Sequence, residues 1–178
     1  MLKKIALAVA ALVLAFVAYV ALQPSDLRVT RSATIQAPAT DVFAHVNDLH
    51  KWQDWSPWAK LDPAAKATFE GPPAGPGAVF KWDGNAQVGA GTMTVTESRP
   101  AELVRIKLDF VKPMAGTSTT EFTFKPQGNQ TTVTWAMFGQ NNFLSRAVCM
   151  FMNQDKKVGG AFEQGLSNMK AIVEAAKK

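Results

Sequence analysis

The sequence predicts an α+β fold in which a curved antiparallel β-sheet wraps around one long C-terminal α-helix, preceded by an N-terminal transmembrane helix. Three observations predict this fold: an uncharged apolar run at the start of the chain, several strand patterns separated by turn signals over residues 78–138, and one amphipathic stripe near the C-terminus. They divide the chain into a membrane segment, residues 1–25, and a single domain, residues 26–178.

The membrane segment begins with Lys3 and Lys4 and continues as eighteen residues without a charge, Ile5–Leu22. This length is at the lower bound for a helix that crosses a bilayer. A cleaved signal peptide is the alternative, but its apolar region is usually shorter, and no Ala-x-Ala cleavage site ends the run. We therefore expect an uncleaved, single-pass signal anchor in the inner membrane. The positive-inside rule places the two lysines in the cytoplasm and the domain on the periplasmic side.

Charge and cysteine content narrow the functions that the domain can have. The formal net charge is +5, but the basic residues are scattered and form no patch, which argues against binding of nucleic acid. The single cysteine, Cys149, cannot form an internal disulfide and lies in an apolar stretch. We expect it to be a buried structural thiol.

The first part of the domain is predicted to contain one strand and then a helix. Leu27–Gln36 alternates and is rich in Val, Thr and Ile, which indicates a strand. Pro38 suits an early position in the helix that follows, whose apolar residues Val42, Phe43 and Val46 recur at helical spacing.

Three tryptophans follow at intervals of three residues, Trp52, Trp55 and Trp58. This spacing would place them on one side of a short helix or turn, until Pro57 interrupts it. Their large flat side chains could line the mouth of a pocket, pack in the core, or reach the bilayer interface near the anchor. A loop rich in glycine and proline, residues 71–77, ends the segment.

About six antiparallel strands are expected in all, because five more strand patterns follow the loop. The cleanest alternation places Val104, Ile106 and Leu108 on one face and charged residues on the other, which is typical of a strand with one wet side. Gly89–Gly91 indicates a bulge in a curved strand. The five predicted strands are residues 78–82, 87–98, 102–111, 117–125 and 131–138.

The C-terminal tail is predicted to be helical, with a first piece at Ser145–Met152 and a long helix after Gln154. In the long helix an apolar stripe recurs at steps of three and four residues and must pack on the sheet. Gly159 and Gly160 weaken this helix, which a bend or a close approach of another element would explain. A curved sheet cannot touch a straight helix along its whole width, so we expect a cavity between them. The stripe comprises Val158, Phe162, Leu166, Met169 and Val173.

The order and spacing of these pieces resemble the START-related polyketide cyclase/dehydrase superfamily, abbreviated SRPBCC, over almost all of residues 27–177. The resemblance implies the helix-grip fold and a deep apolar cavity that binds lipids, polyketides or other hydrophobic molecules, and the N-terminal segment resembles a membrane-anchored branch. Fold does not fix activity in such a family. The matching residues are Ile35–Pro38 with Val42 and Phe43, Asp48 with Trp52 and Trp55–Trp58, Gly75–Ala78 with Trp82, Gly89–Met93 with Glu97–Pro100, Thr132–Trp135, Gly160–Leu166 and Met169–Lys170.

The predicted ligand-binding residues are the large apolar side chains that would face the cavity from the sheet and the long helix. A filled core is the alternative for each of them. Methionine is common at promiscuous apolar sites, which favours a cavity. The predicted wall is Trp55, Trp58, Trp82, Met93, Phe110, Met137, Phe162 and Leu166.

Candidates for acid–base chemistry are weak. His45 and Asp48 are three residues apart and could meet on a helix face, but a solvated helix edge is the commoner case. His45 and His50 are five residues apart, whereas metal ligands on one helix face prefer three or four, so no metal site is predicted. No nucleophile motif or phosphate loop occurs in the sequence, and we expect no cofactor.

The leading hypothesis is therefore binding of a hydrophobic small molecule or lipid in the cavity between sheet and helix, at the membrane surface and without catalysis. The first alternative is an enzyme of the polyketide cyclase or dehydrase type that uses a polar residue, such as His45 or Asp48, in the same cavity. The second alternative is an interaction protein whose core is filled by its own side chains.

Overall fold

The computed structural model describes residues 1–149 and 154–176, and it contains five α-helices and one sheet within them. The helices are α1 (Leu2–Ala21), α2 (Ala39–Asn47), α3 (Trp52–Trp55), α4 (Phe143–Cys149) and α5 (Gln154–Ala175). The strands are β1 (Asp26–Ile35), β2 (Lys66–Glu70), β3 (Val79–Asp83), β4 (Ala90–Arg99), β5 (Leu103–Lys112), β6 (Gly116–Gln127) and β7 (Gln130–Gln140). Two short 3₁₀ helices, Leu49–Lys51 and Pro57–Lys60, flank α3.

The seven strands form one antiparallel sheet in the order β1-β7-β6-β5-β4-β3-β2, and α5 packs across β1. This arrangement confirms the predicted sheet wrapped around a long C-terminal helix. The strand β2 is a correction, since about six strands were expected and none was predicted over residues 62–70. Only Phe69 of β2 is even partly buried, so this edge strand has no alternation to detect.

Side chains along β5 alternate between buried and exposed, as predicted from the sequence. On β5, Val104 and Ile106 are fully buried, whereas Lys107 is exposed. The register between β4 and β5 shifts at Ala90 and Gly91, where the bulge was predicted. Such an irregularity bends a strand and increases its twist, which helps the sheet to curve around α5.

The C-terminal half of α5 fills the core, whereas Gly159 in its first turns lets β1 come close. Leu166, Met169 and Val173 are at most 3% exposed and belong to the main hydrophobic cluster. A Cβ atom at position 159 would collide with the guanidinium of Arg31 on β1. The interpretation of this glycine as a point of close approach is therefore confirmed.

The N-terminal helix α1 is almost entirely exposed and has a mean hydropathy of 2.4 over its most apolar window. It is the one helix of the described residues that is long and apolar enough to cross a membrane, a test that a signal sequence also passes. Its C-terminal end meets α4, where Nη1 of Arg146 donates hydrogen bonds to the carbonyl oxygens of Ala21 (3.0 Å) and Gln23 (3.4 Å). Of the predicted helix at residues 145–152, residues 150–152 lie outside the described residues, as does the side chain of Cys149.

Candidate functional site: a cavity between sheet and helix

A cavity of about 320 Å³ lies between the concave face of the sheet and the N-terminal half of α5. Most of its surface is apolar, and its polar residues are few. The large apolar lining residues are Trp52, Trp58, Phe80, Trp82, Val88, Met93, Leu108, Phe110, Trp135, Met137, Val158 and Phe162. The polar lining residues are Gln53, Ser56, Asp62, Lys66 and Thr120.

The inner wall is built on a stack of two rings, Trp135 of β7 and Phe162 of α5. Their centroids are 3.9 Å apart and their planes are 9° from parallel. The helix can approach because position 165 is glycine, since a Cβ there would lie 2.9 Å from Cζ3 of Trp135. Trp58 meets both rings edge-on, at 6.1 and 6.5 Å, and completes this wall from the segment after Pro57.

The opposite wall is formed by aromatic residues of β3 and β5. Phe80 and Trp82 lie nearly parallel with centroids 6.0 Å apart, and Phe110 meets Trp82 edge-on at 6.1 Å. The indole of Trp82 lies over β4 at Gly91, where a Cβ would be 2.6 Å from Cη2 of Trp82. Glycine at position 91 therefore sets where this side chain rests, and with it the width of the cavity.

Four of the five tryptophan N–H groups have an acceptor within the protein, and Trp58 is the exception among the described residues. Trp58 lines the cavity and is half-buried, and no hydrogen bond from its N–H is present in the part of the chain that the structure describes. The four bonded pairs are Trp52 to the carbonyl oxygen of Val46 (2.9 Å), Trp55 to that of His45 (3.0 Å), Trp82 to that of Val88 (3.3 Å), and Trp135 to Oγ1 of Thr120 (2.8 Å).

Thr120 is the most deeply buried polar residue of the lining, with 1% of its surface exposed. Its hydroxyl accepts the hydrogen bond from Trp135 and donates one to the carbonyl oxygen of Ala136, at 3.0 Å. The hydroxyl proton is therefore already used, and Thr120 holds Trp135 in place.

Two titratable residues line the cavity, Asp62 in the connection that precedes β2 and Lys66 at the start of β2. The Asp62 carboxylate accepts hydrogen bonds from the backbone N–H groups of Ala64 (3.2 Å) and Asn85 (2.7 Å), which ties this loop to the β3–β4 turn. Within residues 1–149 and 154–176, no group of three or more His, Cys, Asp or Glu side chains could hold a metal ion.

Six of the eight residues predicted for the wall line the cavity, and two lie behind it. The two are Trp55 and Leu166, which are 0% and 1% exposed and pack in the filled core. The six that line it are Trp58, Trp82, Met93, Phe110, Met137 and Phe162.

Several lining residues were not predicted, although the sequence carried a signal for some of them. Alternation places Leu108 on the face of Phe110, and Phe80 on that of Trp82. Val158 lies one helical turn before Phe162 and therefore on the same face of α5. Thr120 gave no signal, because a threonine in a strand is ordinary.

The proposed acid–base pair is not assembled in the cavity, since neither His45 nor Asp48 lines it. Asp48 follows the end of α2 in extended backbone and accepts hydrogen bonds from the backbone N–H of His50 (3.0 Å) and pairs with its Nδ1 (3.1 Å). Nδ1 of His45 is buried and has no hydrogen-bond partner among the described residues. Burial, with a smaller effect of Lys51, lowers the pKa of His45 from its usual value.

Comparison with protein families places residues 26–174 within one of them, described as polyketide cyclase / dehydrase and lipid transport. No curated protein matches the chain in sequence at a significant level.

Solved structures with the same fold include proteins of unrelated sequence. Protein CV1439 from Chromobacterium violaceum is 17% identical with a TM-score of 0.60, covering 85% of this chain and 99% of its own. The Zhui aromatase/cyclase from Streptomyces sp. R1128 is 15% identical with a TM-score of 0.62, covering 86% and 96%. The di-domain ARO/CYC StfQ of the steffimycin biosynthetic pathway is 12% identical with a TM-score of 0.64, covering 86% and 52%. At these identities the likeness shows the fold alone.

Proposed function

Since this chain belongs to the polyketide cyclase / dehydrase and lipid transport family, we propose that its cavity binds a hydrophobic small molecule or lipid at a membrane surface without catalysing a reaction. The family description covers both enzymes and lipid carriers. The choice between them depends on what the cavity of this chain contains.

The shape and chemistry of the cavity favour a mainly apolar ligand. Its volume of about 320 Å³ is at the lower end of the usual range for small-molecule sites. Aromatic rings and methionines provide most of the contact area. Among the indole N–H groups, that of Trp58 could donate a hydrogen bond to a polar atom of the ligand. We therefore expect a compact hydrophobic molecule, or one chain of a lipid, that carries a hydrogen-bond acceptor.

The observation that favours a binding protein over an enzyme is the state of Thr120. A general acid or base must be able to exchange a proton with the substrate. The hydroxyl of Thr120 is committed to Trp135 and Ala136, and the Asp62 carboxylate is held by two backbone N–H groups. The most deeply buried polar group of the described lining is therefore not available as an acid or base, and the titratable residues Asp62 and Lys66 lie at the β2 edge of the cavity. The cavity also argues against the interaction protein with a filled core.

The N-terminal helix supports attachment to a membrane. Its twenty residues would span a bilayer, and Lys3 and Lys4 would remain in the cytoplasm. The domain would then face the periplasm from the inner membrane. An apolar ligand is concentrated in the bilayer, so a tethered carrier would always be beside its source.

The proposal is tested by native mass spectrometry of the full chain, purified gently from a membrane-containing host, followed by organic extraction of anything bound. We expect a stoichiometric hydrophobic mass. Val158→Trp would extend an indole into the cavity from its edge and should remove that mass. Ser167→Trp places the same side chain on the exposed side of α5 and should retain it.

Two results would contradict the proposal. A clean apo mass that no lipid or fatty acid stabilises would favour a role in protein interaction. A ligand whose covalent structure changes while bound would favour the cyclase or dehydrase alternative.

A further inference from the structure

The large apolar side chains that remain exposed on the domain are few and are not scattered. Within residues 26–149 and 154–176, the structure exposes four of them: Leu61 (50%), Val111 (62%), Phe143 (42%) and Leu144 (60%). Exposed apolar residues that occur singly need no explanation, but a group on one surface marks a site of interaction.

The strand register shows that these four residues lie at one end of the sheet. Val111 is at the end of β5, and Phe143 and Leu144 follow the end of β7. Nδ2 of Asn142 donates to the carbonyl oxygen of Ala115 (3.4 Å), so the start of α4 lies beside the β5–β6 turn. Leu61 precedes Asp62, whose carboxylate accepts the N–H of Asn85 in the β3–β4 turn at the same end.

The N-terminal helix joins the domain at this end as well. Only residues 22–25 separate α1 from β1, and even fully extended they span about 14 Å. The connection is held in place, because Arg146 of α4 bonds the carbonyl oxygens of Ala21 and Gln23, and the N–H of Asn141 donates to the carbonyl oxygen of Ser25 (2.7 Å). A bilayer that contains α1 therefore meets this end of the domain first.

The cavity opens at the same end. The loop with Asp62 and Pro63, the first residue of β2, Lys66, and Val88 of the β3–β4 turn all contribute to its lining. Lys66 pairs with Asp83, which pairs with Ala90, and these positions form the end of the sheet from which α1 departs.

We propose that this end of the domain is a membrane-docking surface, in which Leu61, Val111, Phe143 and Leu144 enter the bilayer interface and hold the mouth of the cavity against the lipid. The inference rests on the membrane attachment proposed above. Its occupant is the lipid surface, because the apolar residues continue directly from a helix that would be embedded in it. A ligand would pass from bilayer to cavity without crossing water.

The test measures the depth of spin labels on the full chain in phosphatidylcholine nanodiscs. Cys149→Ser removes the native thiol, and single cysteines at Val111 or Leu144 then carry a nitroxide. Asn129, in the β6–β7 turn at the opposite end of the sheet, is the matched control. A label at Val13, in the middle of α1, reports insertion of the helix itself. Each label is exposed to dioxygen, which concentrates in lipid, and to a water-soluble nickel complex.

We expect labels at positions 13, 111 and 144 to collide mainly with dioxygen, and the label at 129 to collide mainly with the nickel complex. If the labels at 111 and 144 behave like that at 129 while position 13 is in lipid, the docking surface is wrong and the anchor stands. If the label at position 13 is also in water, both the proposed membrane attachment and the proposed docking surface are wrong. Ligand occupancy, read by mass, is independent of both results.

Discussion

Individual residues determine the volume of the cavity, because small residues decide where the large aromatic rings lie. Gly91 leaves room for Trp82 over β4, and Gly165 leaves room for Trp135 against α5. A methyl group at either position would collide with an indole that lines the cavity. The empty volume thus depends on two pairs of a glycine and a tryptophan, one across neighbouring strands and one between strand and helix.

Thr120→Val is expected to destabilise the protein by about 1–3 kcal/mol, because the buried N–H of Trp135 would lose its acceptor. Valine retains the shape of threonine, so ligand occupancy should change little. Chemical denaturation gives the free energy of unfolding. Thr123→Val, at an exposed position of the same strand, should leave it nearly unchanged. Equal stability of the two variants would show that the hydroxyl is not a structural partner of Trp135.

His45 should make stability depend on pH on the acid side of neutrality. Burial keeps its pKa in the folded chain below the usual 6.5, so the unfolded chain binds the proton more readily. Stability is then lost as the pH falls from about 6.5 toward the lower folded pKa. His45→Gln cannot titrate and should show a shallower loss over this range. Unfolding curves measured across these pH values check the prediction, and identical slopes would contradict it.

For single residues on strands, alternation predicts which side chains face the cavity. Met93, Phe110 and Met137, which were predicted in this way, line it. Helical spacing does not separate Trp55 and Leu166, which lie behind the cavity, from the lining residues, because it defines a stripe without saying how deeply each member is buried. Trp55 packs under Trp135, with centroids 5.5 Å apart, and so supports the wall from behind. Only the tertiary position of α3 distinguishes it from Trp58.

Among the elements, α5 has two different halves. Its C-terminal half is packed in the core, whereas glycine in its first half lowers the helical propensity and lets β1 come close. Arg31 points from β1 toward the helix and forms ion pairs with Asp155 (2.9 Å) and Glu163 (2.6 Å), two turns apart on α5. Its guanidinium passes over Gly159 between them. These hydrogen bonds and ion pairs raise the pKa of Arg31, which stays charged, and the hydrogen bond lowers the pKa of Asp155.

Gly159→Ala and Gly160→Ala form a matched pair with different expected results. Apart from its own turn of the helix, no atom of the described residues lies within 4 Å of a Cβ built at position 160, so alanine there should raise stability by up to about 1 kcal/mol through helix propensity. Alanine at position 159 must displace Arg31 and should gain less or lose stability. Denaturation of both variants measures the difference. In an Arg31→Ala background the two alanines should become equivalent, and a persistent difference there would contradict the assignment.

Among the strands, those with a buried face could be predicted, and the strand without one could not. The run from Leu103 to Lys112 alternates because one side of β5 packs in the core. The residues of β2, at the edge of the sheet, are nearly all exposed, so burial leaves no alternating pattern in the sequence. The extent of α2 depended on Asp48, whose extended backbone ends the helix and prevents its carboxylate from meeting His45.

At the scale of the whole molecule, the fold could be predicted from the order of the elements in the sequence. The direction in which the cavity opens could not. The sequence indicated an anchor, a sheet and a helix that could enclose a cavity. The N-terminal helix, the mouth of the cavity and the exposed apolar residues share one end because the register pairs Asp26 with Gln140 and Lys66 with Asp83, which the order of the elements does not specify.

The pairing of β1 with β7 has a consequence for how the protein is made. Within the described residues, β1 has its sole strand neighbour in β7, the last strand, and Asp26 pairs with Gln140 although the two are far apart in sequence. Contacts this far apart in sequence form slowly. Until β7 has been synthesised, β1 has no partner strand, and it exposes an edge that other chains could join. The sheet therefore cannot close until β7 has been synthesised, and a nascent chain halted before residue 130 has no partner strand for β1.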